Sequence, residues 1–287
     1  MELIRSRLAL LFVALSSLAA LSANAENDCG LDPRIVRVVD QMQRSHQDFS
    51  FSGTFLKEST GERNFISKTH RAGEEEGHLD YVNAVGDAAS QTVWTPRGPA
   101  VSACDLSAIY ALQLEPGPKV AGRSSMLLHL RPRDGLRLGY RLALDETSGL
   151  ILKSESLSED GKLLERHEYA SFTVIPKDEV GSAEAPRVVM QYLDIVGLPF
   201  GYKASRARGF EEQALFVSDG IAAATVVFEP LPEGLLPGEG AVRHGATLTY
   251  SRGSVVSGTR VLVTVIGEVP LPAARLIAEA LRVAPRR

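Results

Sequence analysis

Residues Ser125–Val174, SMLLHLRPRDGLRLGYRLALDETSGLILKSESLSEDGKLLERHEYASFTV, predict four consecutive β-strands separated by three turns. The turns fall at Pro132–Gly135, Asp145–Gly149 and Glu159–Gly161, and each contains a glycine, which tolerates the positive φ of tight hairpin connections. Connections this short place neighbouring strands antiparallel. The segment therefore predicts a meander that forms the centre of an antiparallel sheet.

The second strand of this meander alternates apolar and polar positions with a period of two. One face carries Leu136, Leu138, Tyr140, Leu142 and Leu144, and the other carries Arg137, Gly139, Arg141 and Ala143. This is the pattern of a sheet that is buried on one side. The apolar face is expected to meet a core or a ligand.

The first 25 residues have the features of a secretory signal peptide. Arg5 and Arg7 precede an apolar run from Leu8 to Leu21, and Ala23-Asn24-Ala25 offers small residues for cleavage. The apolar run is short for a bilayer span, which makes a retained anchor the weaker alternative. We therefore expect a protein exported to the periplasm.

Two cysteines, Cys29 and Cys104, follow this segment. An oxidising compartment permits a disulfide between them, but their separation in sequence says nothing about their distance in space. Both outcomes stay open at this point.

Composition excludes several classes of function. The formal net charge of −4 argues against general binding of nucleic acid. No nucleophile with a base, carboxylate pair or set of metal ligands stands at workable spacing, and the six histidines are scattered. We expect no enzyme, no cofactor and no metal site.

The rest of the chain predicts a mainly β (α+β) protein with two domains. A helix should begin at Asp32-Pro33, and strands should follow from Phe49. The segment 175–187 is rich in Pro, Gly and acidic residues and is predicted to link a large domain (26–174) to a smaller one (188–287). The smaller domain is expected to contain further strands with a sharp turn at Asp219-Gly220, a loop from Gly234 to Gly245, and a closing helix from Pro272 with an apolar stripe of Leu276, Ile277, Ala280 and Leu281.

Three segments resemble the MucB/RseB family of periplasmic regulators of the sigma-E/AlgU envelope stress response. The segment from Arg131 to Val174 is similar to the family pattern xPRDxxRxGYxLxLDxxTGLxLKS, which continues to the end of the meander. Phe49–Phe55 is similar to the first strand of the family, and Val263–Val283 is similar to its closing strand and helix. The resemblance implies a large domain like LolA/LolB, a curved antiparallel half-barrel with helices, and a smaller sheet packed with a terminal helix.

The resemblance also implies a function and partners. Proteins of this family bind the periplasmic segment of an anti-sigma factor of the RseA/MucA type and shield it from regulated proteolysis. The large domain would sense lipid, lipopolysaccharide or lipoprotein acyl chains. The sequence leaves open whether the protein forms a homo-oligomer. The alternative is a periplasmic lipid or lipoprotein carrier of LolA/LolB type.

Two sets of residues are predicted to carry these functions. Candidates for lining a lipid groove are Phe49, Phe51, Phe55, Trp94, Leu138, Tyr140 and Leu142. A closed core without a ligand would explain the same residues, because burial on folding needs no ligand. Candidates for contact with the anti-sigma factor are Tyr202, Arg206 and Arg208, for which ordinary protein surface is the alternative.

Overall fold

The computed structural model describes residues 29–59, 61–70, 78–81, 100–175, 190–207, 214–232, 234, 238–256 and 258–281. The predicted signal peptide, Trp94, Arg208 and positions 176–187 of the predicted linker lie outside these residues. Within them the chain forms two open antiparallel sheets and three helices, which confirms the predicted mainly β fold class.

The first sheet contains eight strands in the order β3-β2-β1-β8-β7-β6-β5-β4. Its elements are α1 (Pro33–Asp48), β1 (Ser50–Ser59), β2 (Glu62–His70), β3 (His78–Tyr81), α2 (Ala103–Ile109), β4 (Tyr110–Pro116), β5 (Ser125–Pro132), β6 (Gly139–Asp145), β7 (Ile151–Leu157) and β8 (Leu163–Ile175). The meander predicted from Ser125–Val174 corresponds to β5–β8 and is confirmed.

The second sheet contains seven strands in the order β13-β14-β15-β12-β11-β10-β9. Its elements are β9 (Met190–Leu193), β10 (Lys203–Ala207), β11 (Ala214–Ser218), β12 (Ala223–Pro230), β13 (Glu239–His244), β14 (Thr247–Val256), β15 (Thr259–Gly267) and α3 (Leu271–Leu281).

Two of the three turns of the meander use their glycines as predicted, whereas Gly135 in the first turn does not adopt a positive φ. Gly149 and Gly161 adopt φ values of +73° and +79°, which a residue with a side chain rarely adopts. The connection between β5 and β6 is longer, and there the carboxylate of Asp134 accepts a hydrogen bond of 3.0 Å from the backbone N–H of Leu136. This connection carries residues 133–138 between the strands, so β6 begins at Gly139, later than predicted.

Helices α1 and α2 cover one face of the first sheet, which we call the inner face. Asp32 caps α1 by accepting a hydrogen bond from the N–H of Arg34, as predicted. The buried residues of both helices and of β4–β7 form one apolar cluster, which contains Ile35, Val39, Met42, Ala103, Leu106, Ile109, Tyr110, Leu128, Leu130, Leu138, Tyr140, Leu142, Leu144 and Ile151. A second cluster around Phe51, Phe55, Ile66, Tyr169 and Phe172 continues the core toward β1, β2 and β8.

The opposite, outer face of the first sheet is charged. Arg141 is paired with Glu155 on the neighbouring strand at 2.7 Å, and Arg166 is paired with Glu58. These pairs follow the strand register from β6 to β1. Cross-strand pairs of opposite charge suit a face in contact with water.

The second sheet packs its own core against α3. Ala273, Ala274, Ile277, Ala278 and Leu281 of this helix are buried on the sheet. The prediction that Leu276 belongs to the buried stripe is wrong, because its side chain is 40% exposed. Helical spacing places it beside the stripe, where the helix turns toward solvent.

The predicted loop from Gly234 to Gly245 is also corrected by the structure. Residues Glu239–His244 form β13, an edge strand that pairs with β14. Five of its six residues are exposed, so the sequence has no apolar alternation from which the strand could be recognised.

A disulfide joins Cys29 to Cys104, with the two Cα atoms 5.6 Å apart. It ties the segment before α1 to the first turn of α2. The two helices that cover the inner face are therefore covalently linked at one end.

We predict that replacing both Cys29 and Cys104 with serine lowers the free energy of unfolding by roughly 2–4 kcal/mol, because the cross-link restricts the unfolded chain over a long loop. Urea denaturation of the two proteins measures the difference. A reductant should destabilise the natural chain by the same amount and leave the double variant unchanged. Equal stability of the oxidised natural chain and the variant would contradict this role.

Candidate functional site

Two turns of the second sheet lie on the inner face of the first. Ile221 and Ala222, between β11 and β12, and Ala246, between β13 and β14, are buried in the same apolar cluster as α1, α2 and β4–β7. Their exposures are 1%, 1% and 0%. The apolar face predicted from the sequence is thus covered by another part of the same chain. We call the segment Ser218–Ala222 the Asp219 turn.

Arg137 is the charged centre of this contact, and it is 0% exposed. Its Nε donates a hydrogen bond of 3.0 Å to Asp219, and its other nitrogens donate to the carboxylate of Asp134 and the carbonyl of Phe200. The guanidinium also stands over the ring of Tyr202, 4.8 Å from the ring centre. One arginine of the β5–β6 connection therefore contacts two separate segments of the second sheet.

Asp219 has a complete set of donors around a buried carboxylate. Oδ1 accepts hydrogen bonds from the N–H groups of Ile221 (3.0 Å) and Ala222 (2.8 Å), while Oδ2 accepts from Arg137 and from the hydroxyl of Tyr110 (3.0 Å). Burial raises the pKa of the Asp219 carboxyl, and these donors oppose that effect. Burial and the adjacent Asp219 raise the pKa of Tyr110, so its hydroxyl keeps its proton and acts as a donor.

A second polar contact lies farther along the same face. Glu165 of β8 is paired with Lys57 at 3.5 Å and His167 at 3.4 Å, and all three side chains are largely buried. Gly245 sits directly against this group, and a Cβ atom built on it would overlap Glu165 Oε2 and lie 3.1 Å from Ser59 Cβ. The second sheet can approach this closely only where it has no side chain.

Further hydrogen bonds join the two sheets at their margins. Glu268, after β15, accepts from the hydroxyl groups of Tyr140 (3.5 Å) and Ser156 (3.3 Å). The hydroxyl of Tyr202 donates to the carbonyl of Leu136 at 2.9 Å. The contact between the sheets is consequently rich in polar groups around a small apolar centre.

The residues predicted to line a groove are divided between the two apolar clusters. Leu138, Tyr140 and Leu142 lie on the inner face beneath the second sheet. Phe51 and Phe55 lie in the neighbouring cluster, with Phe49 partly buried against it. Apart from Phe49, each of these candidate groove residues has a side chain that is at most 2% exposed. They therefore form a filled core in the described part of the chain.

The residues predicted to contact a partner occupy different environments. Tyr202 is 6% exposed and packs on Arg137, so the expectation that it stands on an exposed strand is wrong. Arg206 is half-buried on β10, and its Nε has no hydrogen-bond partner among the described residues. Of the two residues, Arg206 has the more accessible side chain, although its Nε itself is buried.

Sequence reasoning missed Arg137, Asp219 and Gly245 as residues of the contact between the two sheets. The alternation in the predicted second strand of the meander assigned Arg137 to the polar face. Asp219 was recognised only as a turn residue. A signal did exist, because Arg137 belongs to the segment PRDGLRLGY that carries the family resemblance.

The described part of the chain lacks two further features, a metal-binding cluster and a membrane-spanning helix. It contains no cluster of three His, Cys, Asp or Glu residues suited to a metal ion. Helices with the length and apolar character needed to cross a membrane are also absent from it.

Comparison with known proteins assigns the chain to a family. A family model described as the MucB/RseB N-terminal domain matches residues 82–189, and one described as the MucB/RseB C-terminal domain matches residues 200–282. The chain belongs to the MucB/RseB family. The signature segment identified from the sequence, the Asp219 turn and Gly245 all lie within these two matches.

Two curated relatives and one solved structure support this membership. The sigma factor AlgU regulatory protein MucB of Pseudomonas aeruginosa is 32% identical in an alignment of 198 residues that covers 62% of each chain. The sigma-E factor regulatory protein RseB of Haemophilus influenzae is 27% identical in an alignment of 184 residues that covers 57% of this chain and 56% of that protein. The match thus spans less than two thirds of the length of either relative. A structure of the P. aeruginosa MucA/MucB complex is similar with a TM-score of 0.64 and 27% identity, over 85% of this chain and 97% of that chain.

We predict that Gly245→Ala destabilises the protein more than Gly258→Ala does. Both glycines have positive φ, +57° and +81°, so both variants carry a similar backbone penalty. A Cβ at position 258 would meet nothing within 4 Å, whereas one at position 245 would overlap Glu165. Gly245→Ala should cost about 1–3 kcal/mol beyond its control, measured by urea denaturation. Equal losses would show that the close approach to Glu165 is unimportant for stability.

Proposed function

We propose that this protein is a negative regulator of an extracytoplasmic sigma factor, which acts by binding the periplasmic segment of a membrane-spanning anti-sigma factor. Binding would shield that segment from the protease that begins its degradation. Release of the regulator would then allow the sigma factor to go free.

The single observation that carries this proposal is the likeness to MucB in its complex with MucA. It extends over 97% of that chain and includes both sheets, so it concerns the whole architecture rather than one shared domain. The regulatory names of the two curated relatives agree with it. A regulatory binding protein also accounts for a polar network at Arg137 that orders two parts of the chain and presents no reacting group.

Action in the periplasm and the absence of enzymatic activity belong to the same proposal. The signal-peptide features of residues 1–25 support export. The disulfide between Cys29 and Cys104 suits an oxidising compartment.

A lipid-sensing role for the inner face is a second candidate. Its support is the run of leucines with Tyr140 that faces α1 and α2, which is apolar enough for an acyl chain. Ile221, Ala222 and Ala246 occupy that face, so an acyl chain would have to displace them. A constitutive carrier, whose groove must stay open to load and unload, is less compatible with this arrangement.

Isothermal titration calorimetry tests the main proposal. The full chain from residue 26 is titrated with a synthetic peptide of the periplasmic segment of the anti-sigma factor from the same organism. We expect saturable binding with a dissociation constant in the micromolar range or tighter, that is, at least about 8 kcal/mol. A scrambled peptide of the same composition is the control, and equal heats from both peptides would refute the proposal.

Within this test, we predict that Arg206→Ala weakens binding about tenfold, as expected when an arginine at an interface is truncated. Arg206 is half-buried on β10, so part of its side chain is accessible to the peptide. Arg63→Ala is the matched control, since Arg63 lies on the first sheet and is largely exposed in a pair with Glu58. An unchanged affinity of Arg206→Ala would remove Arg206 from the interface without affecting the proposal itself.

A further inference from the structure

We propose that the Asp219 turn is a removable cover on the inner face, and that the Arg137–Asp219 ion pair sets the balance between two states of the chain. In the docked state the turn closes the inner face. In the open state the two sheets separate as folded units and the apolar residues beneath the turn become accessible.

Each sheet has a core that does not depend on the other sheet. The first is built from α1, α2 and β1–β8, and the second from β9–β15 and α3. Among the described residues, the apolar clusters contain Ile221, Ala222 and Ala246 from the second sheet on the first, and Leu136 from the first sheet on the second. In the described part of the chain, no strand of one sheet pairs with a strand of the other. Separation therefore leaves most of both cores intact.

The polar groups of the contact make separation inexpensive in free energy. Docking removes water from the two charges of a buried ion pair, and opening restores it. The pair therefore contributes little to the free-energy difference between the docked and open states. The apolar area buried by Ile221, Leu136 and two alanines is also modest compared with either core. The docked and open states thus differ by much less than the free energy of unfolding either sheet.

Removing one member of the pair has a different effect from separating both. With asparagine at position 219, Arg137 keeps the carboxylate of Asp134, but its buried Nε–H group loses the anionic acceptor that the turn supplies, which disfavours the docked state. In the open state the same group is hydrated and carries no such penalty. A substitution at the pair should therefore move the chain toward the open state.

Asp219→Asn separates the two roles of this residue. Oδ1 holds the turn through Ile221 and Ala222, and an asparagine oxygen can accept the same two bonds. The turn is also held by Ser218, whose Oγ accepts from Gly220 N–H and donates to the carbonyl of Ala222. Only the position of Oδ2, which faces Arg137 and Tyr110, loses its charge.

The matched control is Asp160→Asn. Asp160 also lies in a hairpin turn, between β7 and β8, and also pairs with a cation, Lys162. Its side chain is 57% exposed, so its substitution removes an ion pair that water already screens.

The experiment compares the full chain from residue 26 with these two variants. Binding of 8-anilinonaphthalene-1-sulfonate reports exposed apolar surface, small-angle X-ray scattering reports the radius of gyration, and circular dichroism reports the secondary structure. We expect Asp219→Asn to shift the ratio of docked to open molecules by about 100-fold toward the open state. Dye emission and radius should rise while the circular dichroism spectrum stays that of the natural chain, and Asp160→Asn should match the natural chain in all three.

Two results would overturn the proposal. One is that the dye emission and radius of Asp219→Asn equal those of Asp160→Asn. The other is that Asp219→Asn loses the β spectrum, since the turn would then belong to the folding core.

Discussion

The arrangement of the two sheets depends on one buried arginine. Arg137 leaves the β5–β6 connection, where Asp134 fixes it, and reaches both the Asp219 turn and the segment before β10. A charge in this position is costly unless every donor finds an acceptor. The geometry of Asp219, Phe200 and Tyr202 follows from that demand, and it determines how the second sheet meets the first.

This constraint gives a physical reason for the family signature. In the segment PRDGLRLGY, Asp134 positions the guanidinium, Arg137 enters the contact and Tyr140 donates to Glu268 on the far side. Leu138 lies between them in the core of the inner face. The motif thus encodes both a strand of the first sheet and the means by which the second sheet is recognised. One short segment therefore supplies several of the hydrogen bonds that join the two sheets.

The meander could be predicted from the sequence because its determinants are local. Apolar alternation and turn glycines act within a few residues, and Gly149 and Gly161 take the positive φ that was expected. The role of Arg137 could not be predicted, because its partner Asp219 is 82 residues away and the alternation placed it on the polar face. For the same reason the sequence identified an apolar face in Leu138, Tyr140 and Leu142 without showing what lies on it. Periodicity specifies a face, whereas its contacts depend on the tertiary structure.

The disulfide between Cys29 and Cys104 has a consequence for the order in which the molecule is assembled. A polypeptide emerges with its amino end first, so both cysteines and all of β1–β8 precede the Asp219 turn in time. The helices can be tied together over the first sheet while the second sheet is still unmade. The Asp219 turn, which is synthesised later, then docks on a first sheet that is already folded. This order favours one final arrangement over domain-swapped alternatives. Assembly in sequence thus supplies a specificity that the few contacts between the sheets would not provide alone.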